Sequence, residues 1–388
     1  MRIHCFAVVA AVGLATPLSA CGQVVYAWGD NSTGELGDGT TTNRLTPVPV
    51  IGLPGGVTAV SAGSYHSLAL VNGAAYAWGD NIDGQLGDGT NTQRNTPVPV
   101  SGLSSGVTAV SAGGLLHSMA IVNGAAYAWG SNSSGQLGDG TTTDRRTPVP
   151  VSGLSGGVTA VSANVLHSQA VMHGTAFAWG YNSDGELGDG TTTNRPTPVV
   201  TTGLTSGVTA VSGGRYHSLA VVNGAAYAWG DNNLGELGDG TTVSHPTPVP
   251  VSGLSSGVTA VSSNQVHSLA MILGAVYAWG RNVYGQLGDG TTTDRATPVL
   301  VPGLPGNVIQ VSAGTAFSLA LTADHRLFAW GDNSNGEFGN GTTTSSLSPV
   351  EVFAPSGFYF SAIDAGGYHT LAILMPVPEP SSLLLVAA

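Results

Sequence analysis

Short segments in which apolar and polar residues alternate recur along the chain from residue 24 onwards. In the unit that is easiest to read, Val57–Ser61 and His66–Val71 have the alternation and the β-branched content of strands, and we name them A and B. Asn72-Gly73 follows strand B, and this dipeptide is the strongest short signal for a two-residue hairpin. The pattern therefore predicts an antiparallel A–B–C meander.

The second half of the unit predicts an edge strand. Strand C is expected over Ala74–Trp78, followed by a polar, glycine-rich loop and by strand D over Thr96–Val100. Pro97 and Pro99 place strand D at the edge of its sheet, because proline cannot donate a hydrogen bond to a neighbouring strand. Four antiparallel strands with a protected outer edge form one blade of a β-propeller.

The unit repeats seven times. One tryptophan ends each strand C, at intervals of 50 or 51 residues: Trp28, Trp78, Trp129, Trp179, Trp229, Trp279 and Trp330. The chain begins with a C–D pair and ends with an A–B pair, so the last blade must combine Phe360–Leu374 with Val24–Trp28 and Thr46–Val50. We therefore predict an all-β, seven-bladed propeller over residues 24–374, closed by its N-terminal C–D strands joining its C-terminal A–B strands.

Charge narrows the range of partners. The chain of 388 residues has ten arginines, no lysine and 22 acidic residues, which gives a formal net charge of −12. No cluster of basic residues is present to neutralise a phosphate backbone, so we expect no nucleic-acid partner. We also expect a monomer.

The N-terminus resembles an export signal. A basic start, an apolar run from Cys5 to Leu14 and small residues before position 21 predict a signal peptide over residues 1–20. Leu18-Ser19-Ala20-Cys21 also matches a bacterial lipobox, in which Cys21 would be acylated. A buried N-terminal strand is the third interpretation. Both cysteines lie in this segment, so the repeats contain none.

A compound motif connects the repeats to a known family. Gly-x-x-His-Ser-Leu-Ala, followed by Tyr-Ala-Trp-Gly-x-Asn-x-x-Gly-Gln/Glu-Leu-Gly-Asp-Gly-Thr, resembles the regulator of chromosome condensation repeat from Val24 to Leu374. The resemblance implies a seven-bladed propeller that serves as a binding platform. The family's eponymous member is a nuclear exchange factor for a small GTPase. An exported, acidic chain argues against that role, so we expect no small GTPase partner.

One histidine position recurs at the start of strand B, in six of the seven units: His66, His117, His167, His217, His267 and His369. The following serine points to the opposite face of the strand, so the two cannot form a catalytic dyad. Histidines on separate blades cannot readily share a metal ion, and Phe317 fills the seventh place. We interpret the position as structural and expect no catalytic residue, metal or cofactor.

The acid of Leu-Gly-Asp-Gly-Thr has a structural interpretation as well. It is Asp38, Asp88, Asp139, Asp189, Asp239, Asp289 and, in the last unit, Asn340. Both residue types cap turns through a side-chain oxygen, which explains the pattern without calcium.

The residues that vary between units lie in the A–B and C–D loops, which emerge on one face of a propeller. Large side chains of the kind that anchor interfaces occur there, and we predict that they bind a partner: Tyr65, Leu116, Tyr181, Arg215, Tyr216, Arg281 and Tyr284. Relaxed drift of loop sequences is the alternative explanation.

Residues 376–388 resemble a PEP-CTERM sorting signal of Gram-negative bacteria. Pro378-Glu379-Pro380 precedes an apolar run that stops at Ala388 without a terminal arginine, so the signal is truncated or degenerate. With the leader, it indicates a bacterial protein at the cell surface or in the extracellular matrix.

These observations together predict an exported, non-enzymatic binding or scaffold propeller that recognises a protein or a polysaccharide. A secreted enzyme inhibitor is one alternative, suggested by resemblance to β-lactamase-inhibiting propellers with this repeat. A polysaccharide-active enzyme is another, and it would need a convergent acid–base set that near-identical blades do not offer.

Overall fold

A computed structural model describes residues 22–114 and 116–378. The expected leader, the possible lipobox at Cys21 and the tail from Glu379 onwards lie outside these residues. The described residues contain 28 strands in seven four-stranded antiparallel sheets. In these residues, no helix is long and apolar enough to cross a membrane.

Each sheet is one blade with its strands in the order A, B, C and D. The A strands are β3 (Val57–Ala62), β7 (Val107–Ala112), β11 (Val158–Ala163), β15 (Val208–Gly213), β19 (Val258–Ser263), β23 (Val308–Ala313) and β27 (Phe358–Ala365). The B strands are β4 (His66–Val71), β8 (His117–Val122), β12 (His167–Met172), β16 (His217–Val222), β20 (His267–Ile272), β24 (Phe317–Thr322) and β28 (His369–Pro376). We number the blades one to seven from β3 to β27.

The second half of each blade follows the same rule. The C strands are β5 (Ala74–Gly79), β9 (Ala125–Gly130), β13 (Thr175–Gly180), β17 (Ala225–Gly230), β21 (Ala275–Gly280), β25 (Leu327–Gly331) and, in blade seven, β1 (Val24–Gly29). The D strands are β6 (Arg94–Pro99), β10 (Arg145–Pro150), β14 (Arg195–Val200), β18 (His245–Pro250), β22 (Arg295–Leu300), β26 (Ser346–Val352) and β2 (Arg44–Pro49).

The predicted ring closure is confirmed. Blade seven has the order β2-β1-β28-β27, and Val24 pairs with Leu374 while Trp28 pairs with Thr370. The A strands of neighbouring blades contact one another around the ring. They therefore surround the propeller axis, and the proline-bearing D strands form its outer edge.

The D strands differ from the prediction in their bounds. Strand β6 runs from Arg94 to Pro99, whereas the proline pattern predicted residues 96–100. A bulge between Ala77 and Gly79 lets Arg94 pair with Gly79 before the register with Val98 is established. Every C–D pair shows this irregularity, and it brings the first residue of strand D under the C–D loop.

The tryptophans join neighbouring blades. All seven side chains are fully buried, and Trp78 packs against blade seven, where its Nε1 donates to the Glu35 carbonyl oxygen at 2.6 Å. Gly37 lies beneath that indole, and a Cβ added to it would stand 2.8 Å from Nε1. With φ at +64°, this glycine satisfies both the close approach and the left-handed backbone.

The hairpin prediction is confirmed at the B–C turns. Asn72, Asn123 and Asn223 have φ of 50° or 51°, as a type I′ turn requires. Two blades place other residues there, His173 with φ of 51° and Leu273 with φ of 49°. A bulky side chain in this region is strained.

Candidate binding face

The A–B and C–D loops lie together at one end of every blade. In blade one, the Asp80 amide donates to the Tyr65 carbonyl oxygen at 2.8 Å, which joins the start of the C–D loop to the end of the A–B loop. The equivalent bond occurs in all seven blades, for example from Asp231 to Tyr216 at 2.7 Å. The variable positions of the sequence are therefore neighbours on a single face.

A buried asparagine organises each C–D loop. In blade one, the Asn81 Nδ2 donates to Asp88 Oδ1 at 3.2 Å and to the carbonyl oxygens of Thr90 and Thr92, both at 3.1 Å. Its Oδ1 accepts from the Leu86 amide at 3.0 Å. The same residue occurs in every blade, as Asn31, Asn81, Asn132, Asn182, Asn232, Asn282 and Asn333. Sequence reasoning did not assign this role, although the Trp-Gly-x-Asn motif carries it in all seven units.

The capping role predicted for the Leu-Gly-Asp-Gly-Thr acid agrees with its contacts. Asp88 Oδ1 accepts from the amide and the hydroxyl of Thr90 at 2.9 and 2.7 Å, and Oδ2 accepts from Arg94 at 2.8 Å. Burial alone would raise the pKa of Asp88, but the bonds from Thr90 and Arg94 lower it below its ordinary value. Where Asn340 replaces the acid, Ser346 stands at the arginine position, so the pair changes together.

Three of the predicted partner-binding residues form one cluster. The Tyr181 and Tyr216 rings, from blades three and four, have centroids 6.2 Å apart. The Arg215 guanidinium lies over the Tyr216 ring, 5.0 Å from its centroid. We call these residues the tyrosine–arginine cluster. Arg215 is exposed, and within residues 22–114 and 116–378 it forms no ion pair.

The other predicted residues are placed separately. Tyr65 pairs with Tyr368 of blade seven at a centroid distance of 6.0 Å, and burial raises the pKa of the Tyr65 hydroxyl. Tyr368 was missed, although it occupies the same repeat position as Tyr65 and Tyr216. Leu116 is half-buried. Arg281 and Tyr284 share the C–D loop of blade five, where Tyr284 is 50% exposed.

The histidines contact serines of the next blade. His66 Nε2 lies 2.8 Å from Ser118 Oγ, and the same contact occurs at the five other histidines. Each serine hydroxyl donates to a C–D loop carbonyl, as Ser118 does to Gln85 at 2.8 Å. The serine oxygen therefore accepts from Nε2–H, which fixes the histidine tautomer.

The serine partners of the histidines were not foreseen from the sequence. Burial lowers the pKa of the six histidines to about 3 or 4, so they are neutral near pH 7. His66 and Ser118 are fully buried, where no substrate can reach them. Where Phe317 replaces histidine, Thr370 occupies the position of the serine.

Four buried glutamates accept hydrogen bonds from backbone amides of their own C–D loops. Glu35 Oε2 accepts from the Thr33 amide at 2.9 Å, and Oε1 has no partner among the described residues. Burial raises the pKa of Glu35, Glu186, Glu236 and Glu337 to about 7. The other three blades have Gln85, Gln136 and Gln286 at this position, so the neutral side chain fits the same site.

Nowhere in residues 22–114 and 116–378 do three His, Cys, Asp or Glu side chains come together as metal ligands.

Seven similar blades, joined by buried tryptophans and carrying variable loops on one face, define a repeat propeller with a single variable surface. The chain belongs to the Regulator of chromosome condensation (RCC1) repeat family. The family profile matches seven consecutive segments, at residues 24–70, 72–121, 123–171, 173–221, 223–271, 274–321 and 324–373. A second profile of the same repeat matches residues 57–85 and 308–337. Propellers of this family are generally binding or regulatory proteins.

Two curated relatives share part of the chain. The E3 ubiquitin-protein ligase HERC2 of Homo sapiens is 31% identical over 136 residues, which are 34% of this chain and 3% of HERC2. The Ultraviolet-B receptor UVR8 of Arabidopsis thaliana is 33% identical over 141 residues, or 36% of this chain and 32% of UVR8. The aligned segments thus span a minor part of each relative.

Two solved structures share the whole fold. Human WBSCR16 superposes with a TM-score of 0.81 at 22% identity, covering 92% of this chain and all of that one. Prp20p of Saccharomyces cerevisiae, whose structure was described with its binding to Gsp1p and histones, gives 0.80 at 21% identity and 93% coverage of both chains. At these identities, the similarity establishes the fold alone.

Proposed function

We propose that this protein is a non-enzymatic binding propeller that acts outside the cytoplasm and recognises a protein or a polysaccharide through its A–B and C–D loop face. The observation that carries the proposal is the tyrosine–arginine cluster. Tyr181, Arg215 and Tyr216 come from two blades; the two rings lie in tilted contact, Arg215 lies over Tyr216, and its exposed guanidinium has no ion pair among the described residues. Tyrosine and arginine are the residue types that most often dominate binding energy.

The contrast between the two faces supports this assignment. On the loop face, the equivalent positions are Tyr65, Leu116, Leu166, Tyr216 and Val266 in blades one to five. On the opposite face, three of the B–C turns keep the Asn-Gly sequence and the same backbone geometry. A face whose chemistry varies around the ring can distinguish one orientation of a partner from another.

The sequence supports a location outside the cytoplasm. The signal-peptide pattern in residues 1–20 and the PEP-CTERM-like tail from residue 376 are both addresses used by exported bacterial proteins. A chain with net charge −12 and no lysine also offers no basic surface for nucleic acid. We therefore do not propose that this protein binds histones or Gsp1p, the partners named for Prp20p.

The experiment is a binding comparison of two variants. The wild type, immobilised, is exposed to culture supernatant proteins and to surface polysaccharides of the native host, and the retained ligand is identified. Y181A/R215A/Y216A should weaken its binding by at least tenfold, because each anchoring side chain is worth about 1–2 kcal/mol or more. N72A/N123A/N223A, on the opposite face, should retain the affinity. If the turn variant loses binding and the cluster variant keeps it, the wrong face has been assigned.

A further inference from the structure

The propeller axis contains a small polar cavity that the loop-face proposal does not use. Its volume is about 50 Å³, and residues from all seven blades line it. Lining residues that come from equivalent positions in every blade place the cavity on the axis, where the A strands end at the loop face. Six of these positions are serine: Ser61, Ser111, Ser162, Ser212, Ser262 and Ser312.

The serines connect neighbouring A strands. Ser61 Oγ accepts from the Ala112 amide of the next blade at 3.0 Å, and Ser111, Ser212, Ser262 and Ser312 accept in the same way. A neutral hydroxyl therefore suffices as the acceptor at this position.

Blade seven departs from the rule with Asp364. Its Oδ2 accepts from the Ala62 amide at 2.9 Å, and its Oδ1 accepts from Ser312 Oγ at 2.8 Å. The residue is 6% exposed and, within the described ranges, it forms no ion pair. Burial raises its pKa to about 6 despite these hydrogen bonds. Serine fills the linking role in five other blades, so the negative charge is an addition that a structural role does not require.

A second departure meets the same cavity. Asn164 stands where most blades have glycine, lines the cavity, and is 2% exposed. Its Oδ1 accepts from Ser162 Oγ at 2.7 Å, while its Nδ2 has no partner among the described residues. Gly213 gives it room, because a Cβ there would overlap the Asn164 amide. Exchange of the amide O and N would keep a bond to Ser162 and place an oxygen where the unpartnered Nδ2 now lies.

We propose that the axial cavity binds a small monovalent cation, an alkali ion or a primary ammonium group, with the Asp364 carboxylate as its counter-charge. The serine hydroxyls and the Asn164 amide supply neutral oxygen ligands, which hard cations prefer. A single carboxylate favours one positive charge over two. The volume of about 50 Å³ holds the ion and two or three waters, because each water needs ~10–15 Å³.

Two sources of this cation are consistent with the cavity. It lies at the loop-face ends of the A strands, so the ligand is either a free ion or a lysine ammonium of a partner that sits on that face. Methylammonium is the probe that separates these sources, since it reproduces the end of a lysine side chain. Tetramethylammonium is the size control, because it carries the same charge but exceeds the cavity.

The experiment is thermal unfolding at constant ionic strength and at a pH above the Asp364 pKa of about 6. Sodium, potassium, ammonium and methylammonium chlorides are each compared with tetramethylammonium chloride. We expect at least one small cation to raise the Tm of the wild type by about one or two degrees. Stabilisation by methylammonium would support the lysine source, and stabilisation by alkali ions alone the free ion.

Charge-neutral variants test the role of the carboxylate. D364S restores the residue of the other six blades and should abolish the cation-dependent shift, and D364N keeps an oxygen for the Ala62 amide should D364S fold poorly. D332S removes a half-buried acid of a C–D loop, away from the cavity lining, and should leave the shift unchanged. The proposal is wrong if tetramethylammonium stabilises the wild type as much as the small cations do. A shift that persists in both Asp364 variants would also overturn it.

Discussion

His369 Nε2 lies 2.9 Å from Ser67 Oγ, across the boundary between the last blade of the ring and the first. The same contact joins five other pairs of neighbouring blades, so the seam between the chain ends is built as the internal boundaries are. Only the boundary between blades six and seven differs, where Phe317 and Thr370 occupy the two equivalent positions. A coordinated exchange of both partners indicates that the pair, and not the histidine alone, is the structural unit.

This coupling predicts a specific double-mutant cycle. H167F should destabilise the protein by about 1 kcal/mol, because Ser218 loses its hydrogen-bond donor in a fully buried site. S218T should also destabilise it, because the added methyl group meets the imidazole. H167F/S218T recreates the Phe317–Thr370 pair and should cost less than the sum of the two. Urea unfolding measures the change in the free energy of unfolding for each of the three variants. Additive changes would contradict a paired unit.

The buried glutamates predict that stability falls as the pH rises. The pKa of Glu186 is about 7 in the folded protein, against 4.5 as its ordinary value, so the folded state holds the proton more tightly. Unfolding therefore releases protons between about pH 4.5 and 7, and the free energy of unfolding decreases across this window. E186Q copies the Gln136 of the neighbouring blade. It should be more stable than the wild type above pH 7, by about 1–3 kcal/mol, and equal below pH 4.5.

The matched control for this prediction is an exposed carboxylate. Glu351 pairs with Arg326 on the surface, and that hydrogen bond lowers its pKa. E351Q should therefore leave the decrease between pH 4.5 and 7 in place. Urea unfolding at several pH values measures the free energy of unfolding. If this free energy depends on pH in E186Q in the same way as in the wild type, ionisation of Glu186 does not affect stability.

The sequence was sufficient for the architecture because the information is local and repeated. Alternation locates the strands, Asn72-Gly73 locates a hairpin, and the prolines locate the outer edge, each from a few neighbouring residues. Counting C–D and A–B pairs then predicts the β1–β28 seam. The bulge that starts β6 at Arg94 was not predictable, because it depends on the pairing of Arg94 with Gly79 across the sheet.

Contacts between blades were the part that the sequence left open. His66 and Ser118 are 52 residues apart, and their contact depends on how one blade packs against the next. The joint replacement by Phe317 and Thr370 was a signal in the repeat alignment that could have suggested the pairing. Tyr181 and Tyr216 were predicted separately as loop residues, but the contact between their rings follows only from the placement of blades three and four.

Two B–C turns predict substitutions with opposite effects on stability. Leu273 has φ of 49° and is 84% exposed, so it bears backbone strain without contributing to the core. L273N places the residue of the other turns there and should stabilise the protein by about 1 kcal/mol, because asparagine tolerates this conformation. The reverse change, N223L, should destabilise it by a similar amount. Thermal unfolding measures both, and equal Tm values for the two variants would show that the turn residue does not determine stability here.

The seam predicts the effect of removing residues 22–50. The deletion takes away β1 and β2, which leaves the backbone edge of β28 unpaired and uncovers Leu371 and Ile373, both buried beside Val25. An exposed, apolar edge strand associates with other chains, so the variant should aggregate or lose cooperative unfolding.

The control is a circular permutant in which residues 22–50 follow residue 378 through a short linker. Val24 pairs with Leu374, so the two segments already lie side by side and a short connection spans them. The permutant should recover the elution volume and the cooperative transition of the wild type. Unfolding curves and gel filtration compare the three proteins, and a deletion variant that unfolds like the wild type would contradict closure by the N-terminal strands.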